Sequence, residues 1–466
     1  MSLRQRALLA VVLTAGFYAL ALAIIGLLVW LLLHGLAILV SVVGIIAIAT
    51  SIVPWPRRFE PPGPLLNPAG QPRLFAELRA VADAVGEVMP AEVYIAPEMN
   101  AGVLQRGRRR VMVLGLPLMQ VLTVNEMRAV LAHEFGHYHG GDTRLGPWIY
   151  RTREAIERAI RNASHSSALL QLPFLWYGRL FMRVTQAVSR QQELTADALA
   201  ARTFGARAMI DGLRALARGS IAWVAYWRTE VVPLLESGYQ PPIAEGFHSF
   251  LDAPTVKQDV EKALEAVLAH TRPDPYDSHP PDTERIAALA RMPEGRADGG
   301  GPPASSLLDG IDGIEPFLLI GIVRPGVQLR RIAWQETGSA LVPAMREHVR
   351  RQARMLQNYT VGWLPELLNY ADRLGEAEAS AFREKLPPED LRALGIQLVG
   401  AALAAAMAAN GWKVESLPGR PLVVRRGDAS LEPFIEVNRL ASKEVAAEAW
   451  RQRCADLGIR DLALTG

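Results

Sequence analysis

Two apolar stretches without a single charge stand at the front of this chain, Ala7 to Leu33 and Leu36 to Val53, separated only by His34-Gly35. Few structures can accommodate them. The shorter stretch, 18 residues, reaches about 27 Å as a helix, close to the roughly 30 Å hydrocarbon core of a bilayer. A cleaved signal peptide has an apolar region of only about 7 to 15 residues and no second span directly behind it. The pair therefore reads as a transmembrane hairpin occupying residues 1–58. Arg4 and Arg6 precede the first span, Arg57 and Arg58 follow the second, and the connection carries no Lys or Arg. By the positive-inside rule both ends lie in the cytoplasm. The expected location is the inner membrane of the cell, multi-pass, with everything after Arg58 facing the cytoplasm. Trp30 and Trp55 lie near span ends, where amphipathic rings suit the interface.

Half of the 466 residues are hydrophobic and 21% are charged, a balance that excludes intrinsic disorder. The 50 Lys and Arg nearly cancel the 47 Asp and Glu, and no long basic run occurs, so nucleic acid is not an expected partner. Cys454 is the only cysteine. It can form no internal disulfide and no cysteine-based metal site, so any metal must be held by His and carboxylates.

Beyond the Pro-rich connector Arg57 to Pro72, Leu74, Leu78, Val81, Val85 and Val88 recur at helical spacing. Glu92 to Ala96 and Val111 to Leu116 read as short strands, with Asn100 to Arg110 as a polar turn between them. Thr123-Val-Asn-Glu126 matches a capping box and opens a helix that runs through His137 until Gly140-Gly141. A charged helical stretch follows, Arg151 to Arg161. Leu169 to Val188 is apolar and aromatic but interrupted by Arg179 and Arg183, and reads as a buried or interfacial helix rather than a third span. Arg291 to Ser305, with Gly299-Gly-Gly-Pro-Pro, is the clearest break in the chain. The last 130 or so residues look mostly helical apart from a hairpin around Trp412 to Val437 and a buried Ala-rich helix, Ala401 to Ala409. Trp223, Tyr226 and Trp227, at helical spacing, read as core, with the lining of a substrate groove as the alternative.

The chemistry is carried by His133-Glu134-Phe135-Gly136-His137, an HExxH sequence on the capped helix. Positions i and i+4 share one helical face, so both imidazoles can reach one zinc ion while the glutamate sits beside the water to be activated. Such a site needs a third protein ligand, and without cysteine it must be Asp, Glu or His. Glu193-Leu-Thr-Ala-Asp197 is the best candidate. Its carboxylates are also at i and i+4, so one can ligate while the other accepts the outer N–H of a ligand histidine.

The succession HExxH, ExxAD and His279-Pro-Pro-Asp-Thr-Glu-Arg285-Ile286 resembles the HtpX-type family of membrane zinc metallopeptidases, relatives of the prenyl-protein CAAX proteases. Asn100-Ala101 resembles the family's Asn-Ala element, although Gly102-Val103 departs from its usual aromatic continuation. The resemblance covers roughly residues 70 to 300. It implies one zinc per chain, with His133, His137 and Glu193 as ligands and Glu134 as the general base. It further implies that Asp197 orients a ligand histidine, that His279 stabilises the oxyanion or approaches the metal, and that Arg285 orders its segment.

The expected fold is mainly α (α+β): the N-terminal transmembrane hairpin, a zincin-like metallopeptidase domain with a small edge sheet over residues 59–300, and a mostly helical C-terminal region, 301–466. The expected function is a membrane-anchored zinc endopeptidase acting on membrane or misfolded polypeptides, with protein quality control implied by the resemblance alone. Two other readings stand beside it: a non-catalytic, membrane-anchored scaffold or peptide-binding module that keeps the fold, and a peptidase for lipidated peptides. Val111 to Leu114 reads equally as a strand that receives substrate by strand addition or as a core strand, and Arg106 to Arg110 reads as a solvated turn with an alternative role against anionic lipid.

Overall fold

A computed structural model describes residues 3–53, 59–106, 109–139, 142–164, 168–270, 280–295, 301–319, 322–323, 327–382 and 386–465. Trp55, Arg57, Arg58, Arg108, Gly140, Gly141 and His279 lie outside the described residues. The chain packs as two compact units, residues 1–219 with 265–318, and residues 220–264 with 319–466. The sequence reading sets its boundaries near 58 and 300.

In the first unit, the apolar hairpin consists of α1 (Leu3–Leu33) and α2 (Ile38–Ile52). α1 is long and apolar enough to cross a membrane. α2 has 15 residues, about 22 Å, so it spans only with help from its flanks. Leu8, Leu22, Leu33, Leu39 and Ile46 on the two helices are exposed, which suits lipid rather than water.

The soluble part of this unit begins with β1 (Leu65–Leu66) and α3 (Pro72–Val85), which buries Leu74, Leu78, Val81 and Val85 as their spacing predicts. Val88 falls beyond the helix and is exposed. β2 (Glu92–Ala96), β3 (Ala101–Arg106) and β4 (Arg109–Gly115) follow. The sheet runs β1-β2-β4-β3, with β2 and β4 parallel and β3 antiparallel to β4. One expectation changes here, since the supposed turn 100–110 contains a strand; β4 lies inside the sheet, as the core-strand reading has it, and the edge strands are β1 and β3.

After α4 (Leu116–Val121) comes α5 (Val124–His139), opened by the expected capping box. The Thr123 N–H donates to Glu126 Oε2 at 2.7 Å, and the Glu126 N–H donates to Thr123 Oγ1 at 3.3 Å. α6 (Asp142–Ser164) contains the charged stretch, laced by Arg153–Glu157 and Arg158–Glu154 pairs one turn apart. α7 (Ala168–Phe204) is a single helix of 37 residues, about 55 Å long. Phe174 and Phe181 of α7 pack with Phe17, Ala21 and Leu28 of α1, Ile48 of α2 and Ile156 and Ala159 of α6. The stretch 169–188 thus belongs to a bundle with the N-terminal hairpin. It also presents Leu169, Leu172, Trp176 and Leu180 as an exposed stripe at helical spacing.

α8 (Ala206–Tyr226) leads into the second unit, where a π-helical turn, Trp227–Val231, continues it. Tyr226 is buried against Phe247, Phe250 and Trp334, as the core reading has it, while Trp223 and Trp227 beside it are half-buried. The helix Pro388–Ala409 is long and apolar enough to span, yet Leu398, Val399, Leu403 and Met407 lie at the centre of this unit's core. The region around Trp412 forms a three-stranded meander, Lys413–Glu415, Val423–Arg426 and Ala429–Leu431, followed by the helix Pro433–Ala441. Cys454 is buried, and burial pushes its thiol up to about 12.

Candidate metal centre

Two helices and one short segment build the site. α5 presents His133, Glu134 and His137, and α7 presents Glu193 and Asp197 from its interior rather than from its end, since it continues to Phe204. The two helices approach closely because of Gly136. A Cβ there would stand 3.0 Å from Ala196 Cα and 3.1 Å from Ala196 Cβ, tighter than side chains pack without displacement. The sequence reading passed over Gly136 and Ala196; the small residues inside both motifs were the available signal.

The donor atoms converge. His133 Nε2 lies 3.3 Å from His137 Nε2 and 3.4 Å from Glu193 Oε2, and His137 Nε2 lies 3.6 Å from Glu193 Oε1. Tetrahedral bonds of about 2.0–2.1 Å to one ion set ligand atoms about 3.3–3.4 Å apart. The three residues therefore fit a zinc ion in spacing and in donor type, and they are the one such group among the described residues. His133 and Glu193 are buried, while His137 keeps 28% of its side chain exposed, which leaves the centre open on one side.

The outer partners are equally specific. His133 Nδ1–H donates to Asp197 Oδ1 at 2.8 Å, which turns Nε2 toward Glu193 and His137. Asp197 in turn accepts Arg285 Nε at 2.8 Å and Nη2 at 2.7 Å, a bidentate pair. Arg285 comes from the helix Asp282–Leu289, which starts just after Pro280-Pro281. Its Nη1 also lies 3.8 Å from Glu193 Oε2 and 3.9 Å from Asp282.

These charges control one another. Burial alone would raise the Asp197 carboxyl, but Arg285 and His133 hold it below its usual range. Burial alone would lower the imidazole of His133, yet its bonds to Asp197 and Glu193 push it up to about 9.

β3 runs beside α5. Tyr138 Oη donates to Leu104 O at 3.3 Å, and Arg110 stacks over the Tyr138 ring at 4.2 Å. Three arginines near the hairpin tip meet two carboxylates: Arg106 and Arg109 reach Glu92 at 3.5 and 3.3 Å, and Arg110 reaches Glu87 at 2.7 Å. Gln186 and Arg190 share the face of α7 that carries Glu193 and Asp197, at spacings of four, three and four residues. Gln186 is buried, and its Nε2 has no hydrogen-bond partner among the described residues. His279 cannot be placed with these groups, because it lies outside the described residues.

Residues 68–292, which contain all of these groups, match the model of peptidase family M48. That stretch, just under half of the chain, is similar to the family. The chain is 29% identical over 164 residues to Protease HtpX of Idiomarina loihiensis, covering 31% of this chain and 57% of that one. It is 27% identical over 169 residues to Protease HtpX of Tolumonas auensis, covering 31% and 58%. Against the Protease HtpX homolog of Tropheryma whipplei the identity is 28% over 239 residues, 47% of this chain and 72% of that one. The chain thus spans under three-fifths of the first two relatives' length. No solved structure matches it.

Proposed function

We propose that this protein is a membrane-anchored zinc endopeptidase acting on membrane or misfolded polypeptides, with residues 59–300 as its catalytic domain and one zinc per chain. The observation that carries the proposal is the convergence of His133, His137 and Glu193 within 3.3–3.6 Å, with Glu134 next to the first histidine.

Bound there, zinc supplies a Lewis acid that polarises a peptide carbonyl and acidifies water. Glu134 takes the proton from the attacking water and returns it to the leaving amine. Asp197 holds the His133 tautomer, and Arg285 keeps Asp197 ionised while His133 is neutral. His279 is assigned to stabilising the oxyanion on the strength of the resemblance. Substrate is taken as an added strand on β3, which pairs only with β4 among the described residues. Main-chain bonds of that kind give affinity with little sequence preference, which fits misfolded chains.

The anchor is read as α1 and α2 crossing the bilayer with both ends cytoplasmic. The exposed stripe Leu169, Leu172, Trp176 and Leu180 of α7 contacts lipid beside them.

The test compares detergent-purified wild type with Glu134→Gln on an unfolded protein, with and without a zinc chelator, while zinc content is recorded. The expected outcome is cleavage by untreated wild type alone, with about one zinc retained by the variant. A zinc-loaded wild type that cuts nothing supports the scaffold reading, and a wild type that holds no zinc refutes the ligand set.

A further inference from the structure

The second unit carries a half-open cavity of about 510 Å³ that no step of the proposed peptidase uses. Small-molecule sites occupy roughly 300–1,000 Å³. Leu234, Leu341, Met345, Leu398 and Phe434 give it apolar walls, and Glu230 and Arg420 supply charge. The two charged residues are tied together by the backbone, because the N–H of Gly419, immediately before Arg420, donates to Glu230 Oε1 at 3.2 Å.

Two observations mark this as a built site. Glu230 lies on the π-helical turn Trp227–Val231. Such turns insert one residue into a helix, redirect the side chains that follow, and are frequent at functional sites. The second observation is the condition of the charges. The Glu230 carboxylate accepts the Gly419 N–H and pairs with no cation among the described residues. Burial pushes its carboxyl up to about 7, against the pull of that bond. Arg420 lines the cavity while staying exposed, and its guanidinium makes no ion pair among the described residues. The other lining carboxylate, Glu378, is occupied: it accepts His348 Nδ1 at 2.7 Å and Gln352 Nε2 at 2.9 Å. The open electrostatic capacity is therefore one carboxylate and one guanidinium beside a hydrocarbon surface.

That combination is complementary to a small zwitterion with an apolar side chain: an ammonium for Glu230, a carboxylate for Arg420, and hydrocarbon for the leucine, methionine and phenylalanine walls. We propose that this cavity binds an apolar amino acid or a short apolar peptide through both of its charged ends.

Calorimetric titration of the full-length protein in detergent, with leucine and with the dipeptide Leu-Leu, tests this and separates the two sources. At least one of them binds. N-acetylation and C-amidation of the ligand each weaken binding roughly tenfold or more, because each removes a charge-assisted bond. Glu230→Gln reproduces the effect of acetylation, Arg420→Ala that of amidation, and Ala401→Phe, which fills the cavity, abolishes binding. Binding persists after zinc is chelated, since no lining residue belongs to the metal centre. Absence of binding by either ligand, equal binding of free and capped ligands, or loss on chelation overturns the proposal. The capped-ligand comparison needs only wild-type protein, so it decides the matter even if a variant fails to fold.

Discussion

Arg285→Ala is the most informative single change in the metal centre. Arg285 is 8% exposed and Asp197 only 2%, and the two share bonds of 2.8 and 2.7 Å. Removing one partner of a buried ion pair costs about 3–5 kcal/mol, because the other charge is stranded. The cost here falls toward the lower end in zinc-free protein, since protonated His133 still reaches Asp197 at 2.8 Å. With zinc bound, His133 is neutral and that compensation is gone. The loss is therefore larger in the zinc-bound form, and zinc affinity drops. Changes to residues that orient a metal-ligating histidine typically cost about 10–100-fold in metal affinity, or roughly 1.4–2.7 kcal/mol.

Competition titration against a chromophoric chelator, with thermal unfolding followed in parallel with and without zinc, measures both effects. Cleavage lost at limiting zinc should return in excess zinc, and Arg285→Lys should fall between the two, keeping the charge but not the fork. In a double-mutant cycle with Asp197→Asn, the two changes should be non-additive by about 1.5–3 kcal/mol. An Arg285→Ala protein with the zinc affinity and unfolding midpoint of wild type, or strict additivity in the cycle, refutes the reasoning.

Gly136→Val places a side chain 3.0 Å from Ala196 Cα, so α5 and α7 must separate; an overpacking cost of about 1–3 kcal/mol should accompany loss of bound zinc, and full zinc retention by metal analysis counts against the close-approach argument. For Glu230, whose carboxyl rises from 4.5 to about 7, the folded state holds the proton more tightly than the unfolded chain. Its contribution is fully present below pH 4.5 and is lost as pH rises through 7, in all about 3 kcal/mol. Unfolding of wild type and Glu230→Gln between pH 4.5 and 8 should therefore diverge with pH, and parallel curves would discard the assignment. Gly35→Cys tests the topology: Cys454 is buried, so in intact cells a membrane-impermeant maleimide should label only the new thiol, from outside, and its protection would reverse the orientation.

The parts of this fold legible in the sequence are those whose cause is local. Thr123 and Glu126 satisfy one another's backbone within a single turn, so the start of α5 can be read off four residues. The two i, i+4 pairs, His133/His137 and Glu193/Asp197, can be read for the same reason. β3 was not legible, because Gly102, Gln105 and Arg106 give Ala101–Arg106 no strand pattern of its own; it is a strand because β4 pairs with it. The length test cannot separate Pro388–Ala409 from a span, since a helix buried in protein and one buried in lipid share a composition. The cavity in the second unit escaped altogether. Glu230, Leu341, Leu398 and Arg420 meet in it across 190 residues of chain, a convergence that only tertiary packing creates.

The long helix α7 links the anchor to the chemistry. Its first half packs Phe174 and Phe181 against Phe17 of α1, and its second half carries Glu193 and Asp197 without a break. From Phe181 to Glu193 is twelve residues, about 18 Å of helix. On the proposed arrangement, the metal centre therefore stands within one short helical segment of the bilayer-contacting bundle, on a rod rather than a flexible tether. Helices transmit position in a way that linkers do not. A segment emerging from the membrane, or a misfolded chain adsorbed at its surface, can then reach β3 and the centre without the large search volume that a tethered domain would sweep. The same geometry predicts a limit: polypeptide held far from the membrane has no route to a site whose third ligand is fixed to the anchor itself.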